Sequence, residues 1–282
     1  MKLYFVGGYV RDKLLKIDSK DIDIVLVPEK DVNLEFEEAI NMFSMQGYNL
    51  VFKSQFYTAK FKKDDITLDL TVSRKERYKY NGSLPIIEVS NSIYDDLKRR
   101  DFTINAIAMD LNNNIIDIFN AKEHLRKKVL VPINSLLDDP TRIFRGIRYA
   151  RRLSLKYSKK FLSQINSARR YLVNVSFSRI KRELELISVE NNRVFMWQDI
   201  LNFKLFPNLT FNNQIFDFER IIPYTKESWI LFYITFLDYV VELNHITRLE
   251  NSIIQMLKGK FKSMKNEIYE IAKYILKQRG LL

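Results

Sequence analysis

The chain has 282 residues, 46% of them hydrophobic, no cysteine, and two histidines, His124 and His245. Such a chain holds two domains or three small ones and is not disordered as a whole; disulfides and thiolate metal sites are excluded, and a histidine-built zinc site is a poor fit. The net charge of +12 is uneven, residues 1–122 carrying 18 Lys and Arg against 19 Asp and Glu (net −1) and residues 123–282 carrying 28 against 15 (net +13).

Taken in order, Leu3–Val6 reads as a short strand ended by Gly7-Gly8, and Tyr9–Leu15 as a helix behind it. Ile22–Val27 is a β-branched strand closed by Pro28, and Val32–Met45 has helical spacing. Tyr48–Lys53, Phe56–Lys63 and Ile66–Val72 read as strands, the last two separated by an Asp64-Asp65 turn. Arg74–Pro85, charged and tyrosine-rich, reads as a mobile loop, and Ile93–Arg99 as a short helix. Ile104–Leu111 and Ile115–Phe119 flank Asn112-Asn-Asn114, a hairpin signature.

After Val131-Pro132 the pattern turns helical. Arg142–Leu153 is amphipathic, with Ile143, Ile147 and Ala150 on one face and Arg142, Arg145, Arg148 and Arg152 on the other. Lys159–Tyr171, Phe177–Ser188 and Arg193–Phe203 follow as helices, Pro207 and Pro223 break the chain, and Glu227–Leu243, Thr247–Leu257 and Phe261–Gln278 close it. The apolar run closest to a membrane span, Trp229–Val241, is interrupted by Tyr233, Thr235 and Asp238 and falls short of the ~18 residues required. No secretory signal precedes the first strand, so a soluble cytoplasmic protein without membrane contact is expected.

The chemistry concentrates in Gly7-Gly8-Tyr-Val-Arg11-Asp12 and Asp21-Ile-Asp23. Alternation along a strand puts Asp21 and Asp23 on one face. Two carboxylates so close repel unless a cation lies between them, and hard oxygen ligands suit Mg²⁺. Asp69, in Leu68-Asp-Leu70, is the candidate third carboxylate of a two-metal site, which activates an attacking hydroxyl and steadies an in-line displacement. Asp-x-Asp alone also fits an exposed strand face, and Gly-Gly before a helix is a weak phosphate signal alone. Their spacing, 13 residues from Gly8 to Asp21, makes the combination specific.

This combination resembles the signature of class II tRNA nucleotidyltransferases and bacterial poly(A) polymerases, within the polymerase-β-like superfamily. Arg99-Arg100-Asp101-Phe-Thr-Ile-Asn-Ala106 is similar to their second motif. Asp138-Asp-Pro-Thr-Arg142 with Ile-Phe-Arg145-Gly-Ile-Arg148 resembles their templating motif, and Ser178-Arg-Ile180 with Glu183-Leu184 their neck helix. The resemblance covers about residues 1–190. With the order of elements it gives an expected α+β fold: a nucleotidyltransferase head of mixed β-sheet with flanking helices (1–122) and a helical neck carrying base recognition (123–190). Residues 191–282 lie beyond the resemblance and are expected, from their helical pattern and basic charge, to form a reduced helical body that binds tRNA.

The same resemblance implies site roles. Gly8 and Arg11 would contact the triphosphate, and Asp21 and Asp23 would hold magnesium. Arg100 and Asp101 would recognise the ribose, Asp101 through the 2′-hydroxyl. Asp139 and Arg142 would read the base, with Arg145 and Arg148 close by. The implied reaction adds CCA to tRNA 3′ ends from CTP and ATP, with the basic half on the acceptor arm. CC-only, A-only and poly(A) addition stay open, as does a non-catalytic RNA-binding protein; a DNA polymerase fits poorly with a ribose motif.

The base choice has a physical basis. An ionised Asp only accepts hydrogen bonds and Arg only donates, and cytosine and adenine each pair an amino donor with a ring-nitrogen acceptor. Uracil and guanine put a carbonyl where the amino group would be, leaving buried groups unpaired. Asp139-Pro140 also fits a plain helix start, and the arginine row a solvated stripe. An AT-rich genome is the alternative source of lysine, but it would not confine the excess to one half; a polyanion partner would.

Two positions and the chain length depart from the family pattern. Asp117-Ile-Phe-Asn120 stands where the family has Asp-x-x-Gly, and Asn still tolerates left-handed backbone. Gly146 replaces a usual Ala in the templating helix, at a cost of about 1 kcal/mol. The family commonly runs well beyond 282 residues. His124 and His245 are expected on the surface or satisfied in the core.

Overall fold

The computed structural model describes residues 1–206, 209, 215–236 and 266–278, and it divides into two compact units. One comprises residues 1–79 and 84–135, the other residues 80–83 and the chain from 136 onward. His245 and the Thr247–Leu257 helix lie outside the described residues, as do Pro207, residues 237–243 and residues 261–265.

The first unit is organised on a seven-stranded sheet built from β1 (Lys2–Val6), β2 (Asp21–Val27), β3 (Asn49–Ser54), β4 (Thr58–Lys63), β5 (Ile66–Val72), β8 (Ala108–Met109) and β9 (Ile115–Ile116), in the order β3-β4-β5-β2-β1-β8-β9. β2 and β5 pair in parallel, while β1–β2, β4–β5, β3–β4, β1–β8 and β8–β9 are antiparallel. Both faces of β2 are covered, which explains its unbroken hydrophobic run. Ile24 and Leu26 pack with Phe36, Ala39, Ile40 and Phe43 of α2 (Val32–Met45). Val25 and Val27 pack with Val6, Ala108, and Ile93 and Leu97 of α3 (Ile93–Lys98). Asp31 caps α2 by accepting from the Leu34 amide at 2.9 Å.

α1 (Gly7–Leu14) follows β1 without a connecting loop. Gly7 makes that corner in left-handed backbone, φ +66°, and its amide donates to the Ile107 carbonyl at 3.2 Å.

Residues 74–89 depart from the sequence reading. The expected mobile loop is a hairpin of β6 (Arg74–Tyr78) and β7 (Pro85–Val89), paired from Arg74–Val89 to Tyr78–Pro85. The period-two signal of β6 is present, but its inward set is polar. Glu76 accepts from Arg74 at 3.1 Å, from Tyr78 at 3.3 Å and from Arg99 at 3.0 Å. The Ile104–Leu111 strand shrinks to β8, because Thr103–Asn105 forms a 3₁₀ turn that aims polar side chains inward. The hairpin beyond it forms as expected: Asp110 Oδ1 accepts from the Asn112 and Asn114 amides, with Asn113 left-handed. Asn120 takes φ +56°, and Asp117 receives the Ala121 and Lys122 amides at the start of α4 (Ala121–Arg126).

The second unit's described residues are mainly helical: α5 (Thr141–Arg152), α6 (Lys159–Ala168), α7 (Phe177–Ser188), α8 (Arg193–Asn202), α9 (Ile215–Phe218), α10 (Trp229–Phe236) and α11 (Asn266–Gln278). Trp197 stacks on Phe232 with centroids 5.6 Å apart. Fully buried Arg193 ties the Ser188, Ile222 and Pro223 carbonyls and the Glu219 carboxylate together, over the Tyr224 ring. Among the described residues no helix is long and apolar enough to cross a membrane.

Candidate active site

In the first unit, the parallel register of β2 on β5 sets Asp23 directly beside Asp69, with Asp21 beside Thr67. Asp23 is the most constrained carboxylate of the three. Burial raises its pKa, Arg100 opposes that, and the charges of Asp69 and Asp21 raise it further, while a hydrogen bond from the Gly8 amide favours the ionised form. Gly8 therefore holds Asp23 from the start of α1.

Asp69 is shared with a surface lysine, Lys60 Nζ lying 3.2 Å from Oδ1. Half-exposed pairs of this kind are weak and readily exchanged. Among the described residues no three His, Cys, Asp or Glu side chains are gathered into a set able to hold a metal ion. The Asp21–Asp23 pair still fits a hard divalent cation in its chemistry. It offers only carboxylate oxygens, and one of them is disfavoured in its ionised form by burial and by neighbouring negative charge.

Glycine at position 7 is a steric requirement. A Cβ there would lie 2.8 Å from Arg100 Nη1 and 3.1 Å from Asp23 Oδ2. Arg100 thus lies against both the Gly-Gly corner and the half-buried Asp23 carboxylate. Its other contacts come from α3, where Asp96 Oδ2 accepts from Arg100 Nε at 3.1 Å and Nη2 at 2.9 Å. Asp96 Oδ1 accepts from Arg99 Nε and Nη2 at 2.8 and 2.6 Å.

Arg11 is 3% exposed. It grips both Asp12 oxygens at 2.7 and 2.9 Å and donates through Nη1 to Asn105 Oδ1 at 2.7 Å. Asn105 Nδ2 in turn donates to Asp101 Oδ1 at 3.2 Å. Gly8, Arg11, Asp23, Arg100 and Asp101 therefore belong to one connected cluster. Asp12, Asp96 and Asn105, which the sequence reading did not single out, join its members. For Asp96 a signal existed, since it precedes Arg99 and Arg100 by three and four residues, the spacing of facing helix positions. His124 is satisfied through Nδ1, 2.9 Å from Thr103 Oγ1.

In the second unit, Asp139 serves the start of α5, its Oδ1 accepting from the Thr141 hydroxyl at 2.6 Å and amide at 3.1 Å. The expected helix start is thus real, shifted by one residue, with Pro140 at the cap position. Asp139 also pairs with Arg179 of α7 at 2.8 Å. Of the four arginines in the expected row, Arg152 is exposed, but Arg142 is 4% and Arg148 8% exposed and Arg145 is half-buried, so the row is not a solvated stripe. Arg148 faces Glu183 at 3.8 Å and Glu190 at 4.0 Å.

Residues 3–131 match the family model described as the poly A polymerase head domain. An A-adding tRNA nucleotidyltransferase of Halalkalibacterium halodurans is 34% identical over 205 residues, 69% of this chain and 47% of that protein. A CCA-adding enzyme of Staphylococcus epidermidis is 30% identical over 239 residues, 81% of this chain and 57% of that protein. The chain thus spans about half the length of these two relatives. A solved structure of a CCA-adding enzyme in an apo form superimposes with a TM-score of 0.72 at 26% identity, over 97% of this chain and 75% of that one. With its mixed-sheet head and helical remainder, the chain belongs to the class II tRNA nucleotidyltransferase and bacterial poly(A) polymerase family.

Proposed function

We propose that this protein is a template-independent RNA nucleotidyltransferase that adds CCA to tRNA 3′ ends from CTP and ATP. The observation that carries the reading is the clustering of Gly8, Asp23 and Arg100 at the α1 start, with Asp69 in register beside Asp23. In the reaction the RNA 3′-hydroxyl oxygen bonds to the α-phosphorus, the α–β anhydride bond breaks, and pyrophosphate leaves as the hydroxyl proton is lost.

Members of this family generally use divalent metal ions. Here Asp21 and Asp23 would hold Mg²⁺, which supplies hydroxyl activation and neutralisation of phosphate charge. Asp69 is the third candidate carboxylate. Gly8 keeps Asp23 oriented, and Arg11 supports the triphosphate contacts from its buried position. Arg100 and Asp101 select the ribose, Asp101 by accepting from the 2′-hydroxyl.

Residues 1–122 are assigned catalysis, 123–190 base reading through Asp139, Arg142, Arg145 and Arg148, and 191–282 a share of tRNA binding. The net charge of +13 over residues 123–282 supports an acceptor-arm contact read largely by shape. A cytoplasmic setting goes with that substrate. A-only addition is the second reading, favoured by 34% identity to an A-adding relative.

The test is 3′-end extension at single-nucleotide resolution, on tRNAs ending before the first C, after one C and after CC. Full CCA synthesis is expected. Extension restricted to the CC-ended tRNA with ATP selects the second reading, and no extension of any substrate overturns both.

A further inference from the structure

Asn105 has no place among the phosphate, metal or ribose ligands assigned above, yet it touches three of those residues. It sits in the 3₁₀ turn Thr103–Asn105 and is 5% exposed. Its side-chain oxygen accepts from Arg11 Nη1 at 2.7 Å, its side-chain nitrogen donates to Asp101 Oδ1 at 3.2 Å, and its backbone carbonyl accepts from Arg100 Nη1 at 3.3 Å. A guanidinium can only donate and an ionised carboxylate can only accept. The two ends of the amide therefore have a single consistent orientation, and no other side chain of that size supplies both roles.

We propose that Asn105 is the positioning residue for ribose selection, a role that rests on the nucleotidyltransferase reading above. By donating to Oδ1 and being held by Arg11, it fixes the rotation of the Asp101 carboxylate. The Phe102 amide, 2.7 Å from the same oxygen, completes the hold. Through its carbonyl it also limits the swing of Arg100. The preference for ribo- over deoxyribonucleotides then depends on a residue that contacts no nucleotide.

Asn105→Asp and Asn105→Ala test this. The former keeps shape and the acceptor facing Arg11 but sets a second carboxylate against Asp101. The charged groups around the position are Arg11 and, beyond it, Asp12 on α1, together with Arg100 and Asp101; His124 on α4 faces Thr103. The readout is the ratio of kcat/KM for CTP over dCTP, and for ATP over dATP, in 3′-end extension across pH, beside each variant's melting temperature.

For Asn105→Asp the ribose preference is expected to fall roughly ten- to a hundredfold at neutral pH, the worth of a charged hydrogen bond. It is expected to recover as pH drops into the carboxyl range, where the new group takes a proton and donates as the amide did. For Asn105→Ala it is expected to fall at every pH. An unchanged ratio in both variants overturns the proposal, as does an equal loss with both sugars that follows the melting temperature. If Asn105→Asp does not fold at neutral pH, the Asn105→Ala ratio decides. An unmodified protein that extends RNA with no nucleotide overturns the parent reading, an outcome distinct from the others.

Discussion

Arg100 Nη2 lies 2.9 Å from Oδ2 of Asp96, while the other Asp96 oxygen receives Arg99 at 2.6 Å. Asp96 is fully buried, so one carboxylate orients two successive arginines, one of them the Arg100 proposed above to select the ribose. Burial pushes its pKa up, but the charges of Arg100 and then Arg99 outweigh that and hold it below the ordinary value. A depressed carboxylate stabilises the fold above its unfolded pKa, and this contribution is lost as pH falls through the native one. Asp96→Asn is expected to cost about 3–5 kcal/mol, since it leaves buried guanidinium charge uncompensated. Denaturant unfolding at several pH values checks this: the acid-side loss should be shallower in the variant than in the unmodified protein.

Asp23 has the opposite balance. Burial and the charges of Asp69 and Asp21 raise its pKa against the pull of Arg100 and Gly8, so its ionised form strains the fold. A carboxyl raised in this way costs stability as pH rises past its unfolded value. Asp23→Asn is expected to stabilise the protein by about 0.5–2 kcal/mol at neutral pH. Activity should fall by roughly a thousandfold or more, several kcal/mol of lost cation chemistry. Parallel melting and extension assays measure both, and a variant that is both less stable and fully active would refute the metal-site assignment.

Gly7→Ala should harm folding and chemistry together. Left-handed backbone at φ +66° costs an alanine about 1–2 kcal/mol. Its methyl would also press on Arg100 Nη1, 2.8 Å away. The variant is expected to melt lower and to lose kcat/KM for ribonucleotides beyond what the melting shift explains, as assays well below the melting point would show.

Arg179 pairs with Asp139 at 2.8 Å, so the orientation of the carboxylate assigned to base reading depends on another helix. Arg179→Gln is expected to lower the preference for CTP and ATP over UTP and GTP roughly tenfold. The pair is partly exposed, so stability should change by no more than about 1 kcal/mol. Competition assays with the four nucleotides measure the first effect.

Where hydrophobic spacing carried the signal, the fold was legible. The sequence places α2, β5 and α7 at their observed limits because each has an apolar face with clear ends. β6 escaped because its inward residues, Arg74, Glu76 and Tyr78, are polar and satisfy one another. Arg142 and Arg148 look like a solvent face by period alone, yet both are buried, and Arg148 faces Glu183 and Glu190, distant in sequence. Asn105 falls inside the Arg99–Ala106 motif, but its role was not legible there, since it exists only once residues 11, 100 and 101 converge.

The parallel register of β2 and β5 has a consequence for how this chain can change. Every residue of β5 from Thr67 to Val72 is tied to one of β2, from Asp21–Thr67 to Leu26–Val72. Sliding β5 by a single residue would bring Leu68 or Leu70 beside Asp23 and turn Asp69 toward the hydrophobic face packed on α2. An insertion or deletion inside β5 would therefore remove core and carboxylate at once. Added length is expected to be tolerated in the Asp64-Asp65 turn before the strand, but not at Ser73 after it, which is fully buried and donates its amide to the Leu26 carbonyl at 2.8 Å.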